Sequence, residues 1–313
     1  MTYDVAVLAG GLSLERDVSL RSGRRVAEAL GERGHRVTRL DLDERLVAAL
    51  SRGRFDVAFL TLHGKAGEDG TIQGLLELLD LPYTGPDSVA SALAWDKAVM
   101  KGVWRRKGLP TPDWVRVTST AVRDMGASGA LDRVLARLGD PLIVKPGQGG
   151  AALGVRLVDS ADDLARALIA AFSYHDVVLA ERHVAGTEVA VSVVDGEALP
   201  PVEIVPKEGT YDFVARYTHG ATEFFAPARL PEAALHSCQE VALAAYELAG
   251  CRHLTRADLI VDGSGTPWLL ELDTCPGMTE TSLLPVAAQA RGWSFEELCD
   301  RIVGLALARP PGG

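Results

Sequence analysis

Strand and helix patterns alternate through residues 1–80, and each apolar strand pattern runs into a glycine turn or a loop. Asp4–Ala9 (DVAVLA) is a short apolar run that ends at Gly10-Gly11. Helical spacing follows over 19–33, a second strand pattern over 35–41, and a third over 55–62, closed by His63-Gly64. Near-continuous apolar strands separated by helices are the pattern of a parallel sheet covered on both faces, because a strand buried on both sides has no polar face to show. The chain is therefore predicted to be α/β. Ligands of such sheets bind beyond the carboxyl ends of the strands, where Gly10-Gly11 and His63-Gly64 fall.

A boundary is expected near Ala94, after the turn-rich Pro82-Tyr83-Thr84-Gly85-Pro86. The middle segment reads as a helix over 97–107, a break at Pro110 and Pro112, a helix over 130–138 and a strand over 142–145. A glycine-rich turn over 147–154 and a strand over 155–158 complete a hairpin with the character of a flexible flap. Strands over 177–181 and 188–194, separated by Gly186, lead to a polar stretch over 206–222 and a helix over 234–249. Two strands, 257–261 and 267–272, are joined by the turn Asp262-Gly263-Ser264-Gly265; closing helices end in an exposed tail, 309–313. The expected lobes are 1–94, 95–178 and 179–313.

Composition removes several function classes. Lys plus Arg total 32 against 42 Asp plus Glu, a net charge of −10, with no basic block for nucleic acid or an anionic membrane. No apolar run is long enough for a membrane span, and the N-terminal residues do not read as a secretory signal. Cys238, Cys251, Cys275 and Cys299 have no paired CxxC spacing, which fits free thiols in a reducing cytoplasm.

Three motifs carry chemistry. His63-Gly-Lys-Ala-Gly67-Glu68-Asp69-Gly70 precedes a helix start, and reads either as a loop whose amides face a ligand or as a turn with acids suited to the helix dipole. Gly10-Gly-Leu-Ser13-Leu-Glu15-Arg-Asp17 offers a carboxylate at a strand end, for a substrate ammonium or for the next helix. In the final hairpin, alternation places Arg256 and Asp258 on one face and Glu271 and Asp273 on one face. Close carboxylate pairs repel by about 4 kcal/mol at an effective dielectric near 20. A hard cation carrying phosphates resolves that repulsion; an exposed salt-bridged hairpin end is the alternative.

Together these residues resemble the D-alanine–D-alanine ligases of the ATP-grasp superfamily, from GGLSLERDVS at Gly10 through LHGKAGEDGTIQG at Leu62 to ELDTCPGMTETSLLP at Glu271. The resemblance implies a three-lobed α/β architecture with an N-terminal parallel-sheet lobe. It implies ATP as co-substrate, two Mg2+ ions (Mn2+ as a substitute), D-alanine as substrate, a homodimer, and a place in peptidoglycan precursor synthesis. By the same resemblance, Glu15 holds the first substrate's ammonium with His63 nearby. Lys97, Lys145, Arg216 and the flap residues Gly149, Gly150 and Ala151 meet ATP, Glu181 takes the adenine amino group, His183 and Val184 flank the ring, and Glu188 binds ribose. Tyr217 belongs to an acid–tyrosine–serine set, Arg256 and the Gly277 amide stabilise an oxyanion, and Asp258, Glu271 and Asp273 ligate magnesium. Ser282 and Leu283 grip the second substrate's carboxylate.

Three departures from the family pattern stand out: Ala151 and Ala152 replace two serines, Asp273 replaces asparagine, and Arg216 replaces lysine. The lost serine leaves room for a paralogous ligase with a different amino-acid substrate. A non-catalytic nucleotide-binding regulator is the third reading, and the retained Glu15, Arg256 and acid cluster argue against it.

Overall fold

The first strand sets the frame. A computed structural model describes residues 1–308 other than 126 and 219, so the expected tail at 309–313 lies outside the described residues. Among these residues the strands form three sheets. The N-terminal part runs β1 (Asp4–Ala9), α1 (Arg16–Glu32), β2 (Arg36–Asp41), α2 (Leu46–Arg52), β3 (Val57–Leu60), α3 (Thr71–Leu78) and α4 (Ser88–Trp95). Its strands are parallel in the order β2-β1-β3, with Val5 opposite both Val37 and Val57. Val5, Val7, Val57 and Phe59 pack on Val26 and Leu30 of α1, while Ala6, Leu8, Ala58 and Leu60 pack on Leu46, Leu50, Ile72 and Leu76. Both faces are covered, which is why the strands read as continuous apolar runs. Helix α1 begins three residues earlier than its spacing suggested, which puts Glu15 at its N-cap.

The middle part comprises α5 (Lys97–Arg106), β4 (Trp114–Thr118), α6 (Ser119–Met125), α7 (Ala127–Leu138), β5 (Leu142–Pro146), β6 (Arg156–Val158), α8 (Ala161–Phe172) and β7 (Val177–Arg182). Its antiparallel sheet has the order β4-β7-β5-β6. Leu142, Val144, Val178 and Ala180 pack against Val134, Leu138, Leu164 and Leu168 of the helices. Period-two alternation then turns Ile143, Lys145, Leu179 and Glu181 to the opposite face.

The remaining elements are β8 (Gly186–Val194), β9 (Glu197–Ala198), β10 (Val202–Pro206), α9 (Phe213–Tyr217), β11 (Thr222–Phe225), α10 (Glu232–Leu248), β12 (Leu254–Asp262), β13 (Pro267–Asp273), α11 (Leu283–Ala290) and α12 (Phe295–Ala308). The sheet order is β11-β10-β8-β12-β13, with β9 on β8. Val189, Val191, Ala257, Leu259 and Leu269 pack on Cys238, Val241 and Ala245 of α10, which leaves Glu188, Arg256 and Asp258 on the other face. Gly186 begins β8 rather than separating it from β7, and a Cβ there would overlap the Val261 carbonyl across the ladder. The polar stretch 206–222 contains the short helix α9, capped by Asp212 accepting from the Ala215 amide at 2.9 Å. Helices α11 and α12 join the core that includes β1, β3 and α1, tying the end of the chain back to its beginning. Among the described residues the four cysteines are free, and no helix is long and apolar enough to cross a membrane.

Candidate active site

Two adjoining cavities open between the sheets, and every residue expected to act lines one or both. The larger, about 240 Å³, lies between the face of β5–β7 turned away from its helices and the face of β8–β12 turned away from α10. Lys145, Glu181, His183, Val184, Glu188 and Asp258 border it. Glu181 is fully buried beneath two lysines: its Oε2 lies 2.7 Å from Lys101 Nζ and 3.1 Å from Lys145 Nζ. Burial disfavours the Glu181 anion, yet the two ammonium groups more than offset that and hold its carboxyl below the ordinary value. Lys101, which the sequence reading did not single out, has no exposed surface, and burial pushes its ammonium down to about 8 against the pull of Glu181. It sits one helical turn after Lys97, with Nζ donating to Thr111 Oγ1 at 2.5 Å. Glu188 has its carboxyl pushed up to about 7, chiefly by burial.

A bulge in β13 shapes the same cavity. Asp258 pairs with Glu271, but Leu259 pairs with Leu269, so Leu270 is the extra residue. Consecutive Leu270 and Glu271 therefore both border the cavity, an apolar and an acidic side chain that strict alternation would have turned apart.

The smaller cavity, about 70 Å³, is more polar. Glu15 enters it from the N-cap of α1, Glu68 and His63 from the loop after β3, and Ala151 from the flap. Tyr217, Arg256, Asp273, Gly277, Ser282 and Leu283 complete it from the C-terminal part. Glu15 is 4% exposed, and burial, then the charge of Glu68, push its carboxyl up to about 8, with His63 pulling the other way. The Gly64 amide donates to Glu68 Oε1 at 3.0 Å, and His63 Nδ1 lies 3.7 Å from the same oxygen. Burial lowers the His63 ring's affinity for a proton, but Glu68, Glu15 and Asp273 together raise it. The flap packs directly on this cluster: a Cβ at Gly150 would lie 3.0 Å from Glu15 Oε1. Tyr217 packs edge-on against Phe213, and burial followed by the charge of Glu15 raises its phenol.

The carboxylates of the final hairpin meet protein cations. Arg256 donates from Nε to Asp258 Oδ1 at 2.6 Å and from Nη2 to Oδ2 at 2.9 Å, and its Nη1 lies 2.9 Å from Asp273 Oδ2. Lys97 Nζ lies 3.2 Å from Glu271 Oε2 and donates to the Gly149 carbonyl at 2.6 Å, linking flap and hairpin. The repulsion that pointed to a cation is thus relieved in large part by Arg256 and Lys97. Among the described residues no group of three or more His, Cys, Asp and Glu side chains surrounds a common ion position. Burial disfavours the Glu271 anion, but Lys97 and Arg216 lead the cations that hold its carboxyl well below the usual range. At Asp258 and Asp273 burial wins, and both carboxyls are raised despite Arg256.

Arg216 lies over the Tyr211 ring, 4.4 Å from its centroid, and borders both cavities. Ser282 Oγ accepts from the Thr279 amide at 3.0 Å, just ahead of α11 and Leu283. Glu68 is the second residue the sequence reading left without a role, although the motif containing it was marked.

Comparison with known proteins agrees with this arrangement. Residues 44–86 match the family model for the D-ala D-ala ligase N-terminus and residues 103–304 that for the D-ala D-ala ligase C-terminus. The chain is 49% identical over 304 residues to a D-alanine–D-alanine ligase of Anaeromyxobacter sp. (strain K), covering 97% of each. It is 42% identical over 310 residues to that of Pelotomaculum thermopropionicum, covering 98% of each. Its fold is similar to the crystal structure of D-alanine–D-alanine ligase from Bacillus anthracis complexed with ATP, with a TM-score of 0.83, 32% identity and 98% of both chains covered. It is also similar to the VanG D-Ala:D-Ser ligase from Enterococcus faecalis, with a TM-score of 0.84 and 27% identity, covering 98% of this chain and 100% of that one. With both family models matched, its fold shared and nearly its whole length aligned with these enzymes, the chain belongs to the D-alanine–D-alanine ligase family.

Proposed function

We propose that this protein joins two D-alanine molecules at the expense of ATP, supplying a dipeptide for peptidoglycan precursors. The observation that carries the reading is the common wall of the two cavities. Lys97, Gly149, Gly150, Arg216 and Glu271 border both, so a phosphate chain in the larger cavity ends where a small zwitterion in the polar one begins. A carboxylate oxygen of the first D-alanine attacks the terminal phosphorus, and ADP leaves. The free amine of the second attacks the acyl phosphate carbon to give a tetrahedral oxyanion. The nitrogen gives up a proton to solvent or the departing phosphate, and phosphate leaves as the C–O bond breaks.

Each residue has a part in that sequence. The first substrate's ammonium lies beside Glu15, where its charge offsets the burial that otherwise keeps the carboxyl protonated. Arg256 and the Gly277 amide face the oxyanion, and Ser282 with Leu283 hold the second carboxylate. Lys97, Lys145, Arg216 and the flap amides of Gly149 to Ala151 meet the phosphates. Glu181, His183, Val184 and Glu188 take adenine and ribose. Asp258, Glu271 and Asp273 are buried hard-oxygen donors, and burial raises the carboxyls of Asp258 and Asp273 although they share Arg256; this donor set would suit magnesium or manganese arriving with the nucleotide. The ions neutralise phosphate charge when bound.

Three lobes, a homodimer and a cytoplasmic site of action belong to the same proposal. The second break is better set after Arg182 than at 178, because β7 pairs along its length with β4 and β5. A ligase for a different amino acid is the second reading, favoured by the methyl of Ala151 where the family has a hydroxyl. Phosphate release from ATP across a panel of D- and L-amino acids tests both. D-alanine is expected to give the fastest turnover and D-alanyl-D-alanine as product; no dipeptide from D-alanine with brisk turnover on another amino acid would overturn the first reading.

A further inference from the structure

Helix α1 reaches both halves of the proposed reaction. Glu15 stands at its N-cap, and Ser22 and Arg25 follow about 10–15 Å further along the axis, at 1.5 Å per residue. Both touch the segment between Gly277 and Ser282. Ser22 Oγ accepts from the Met278 amide at 3.2 Å. Arg25 Nη1 donates to the Met278 carbonyl at 3.0 Å and to the Thr279 carbonyl at 2.9 Å. The guanidinium is itself pinned, 3.7 Å from the centroid of the Phe295 ring, with Nε 3.8 Å from Glu280 Oε1. Thr279 passes the constraint on, because its amide and its hydroxyl both bond Ser282 Oγ, at 3.0 and 2.9 Å.

We infer that Arg25 is a positioning residue for the acceptor side of the site, acting through Thr279 on Ser282, with α1 as the ruler that spaces the acceptor grip from Glu15. The inference rests on the reading above, in which Ser282 holds the second carboxylate. A planar guanidinium suits this task, since one nitrogen spans two successive carbonyls while the face stacks on an aromatic ring. Arg25 itself lines neither of the two cavities: it borders a separate one with Trp293 and Phe295.

The test compares Arg25→Met, which keeps the stem and removes the donors, with Arg25→Lys, which keeps charge and donors. Dipeptide formation is followed against D-alanine concentration. In parallel, hydroxylamine replaces the second D-alanine: its nitrogen attacks the acyl carbon, phosphate leaves, a proton goes to solvent, and a hydroxamate accumulates without any acceptor carboxylate. Arg25→Met should raise half-saturation by the acceptor about tenfold, the loss expected when charge-assisted hydrogen bonds that order a binding group are removed. Hydroxamate formation should stay within about twofold of the parent, and Arg25→Lys should recover most of the acceptor affinity. Parallel loss of both products, or no change in either, overturns the inference. Amide exchange at 278–282 separates this from the reading it rests on. Faster exchange there in Arg25→Met, with β12 unchanged, is expected even if the parent makes no dipeptide, an outcome that would sink the ligase reading alone; unchanged exchange sinks the positioning role.

Discussion

A carboxyl that stays protonated to about pH 8 inside a folded chain has a thermodynamic consequence, and Glu15 carries it. Its ordinary value is 4.5. Between about 4.5 and 8 the unfolded chain has released this proton while the folded chain still holds it, so stability falls as pH rises through that window, by up to about 1.4 kcal/mol per pH unit. Glu15→Gln removes the dependence. The variant should match the parent near pH 4.5 apart from a constant offset, and gain on it steadily up to pH 8, while losing affinity for the first substrate. Urea unfolding of both proteins at several pH values checks this, and a gap that does not widen with pH would contradict it. The glycine turn marked Glu15 only as a carboxylate at a strand end, open between a ligand and the next helix, and the family resemblance alone pointed it at a substrate. Its burial at the N-cap of α1 comes from the fold. Lys101 was not legible: a lysine on a helix reads as solvated, and only the fold reveals Glu181 above it and Thr111 beside it. Glu68 was half legible, since its loop was marked but its contact with His63 depends on how that loop closes.

The flap and the final hairpin behave differently as elements. The hairpin, its Asp262–Gly265 turn and the closeness of Asp258 to Glu271 and Asp273 were legible. The pairing of Asp258 with Glu271 and of Arg256 with Asp273 was not, because the turn alone would put Asp258 opposite Leu270 and only a bulge shifts the register. The bulge at Leu270 left no trace in the alternation, and neither did β10 and β11, whose residues lie beside or within a polar stretch. In the flap, Ala151 and Ala152 both adopt positive φ, at 50° and 56°, a conformation that favours glycine over alanine. Ala151 is almost fully buried and shares the polar cavity with Glu15 and Tyr217, two groups able to bond a hydroxyl. Ala151→Ser keeps the backbone's steric demand nearly constant and adds that hydroxyl. A hydrogen bond between such groups contributes about 0.5–1.5 kcal/mol, so kcat/KM for D-alanine should rise roughly threefold to tenfold. Steady-state kinetics on parent and variant decide it, and a fall in D-alanine turnover with no loss of ATP affinity would show that the methyl is matched to another substrate.

At the scale of the whole molecule, the larger cavity, proposed above for ATP, is a seam between the middle and C-terminal sheets, so nucleotide binding there should stabilise the chain as a unit. A ligand at one hundred times its Kd adds about 2.7 kcal/mol to the folded state. Lys145 is the informative position, because the row Lys101–Glu181–Lys145 holds two ammonium groups against one carboxylate. Lys145→Ala removes a donor from Glu181 Oε1 but leaves Lys101 and Glu181 as a neutral ion pair at 2.7 Å, with Lys101 still anchored on Thr111, so the fold is expected to survive. What is lost is the surplus positive charge in the cavity. If that charge contributes a hundredfold to affinity, the same ATP concentration then stabilises the variant by only about 0.4 kcal/mol. Thermal melts with and without ATP should therefore show a clear rise for the parent, almost none for Lys145→Ala, and nearly equal melting temperatures without nucleotide. An ATP-induced rise undiminished in the variant would remove Lys145 from the phosphate contacts. A collapse of the ligand-free melting temperature would instead make the lysine row part of what holds the middle sheet against α5, since Lys101 reaches Glu181 from that helix.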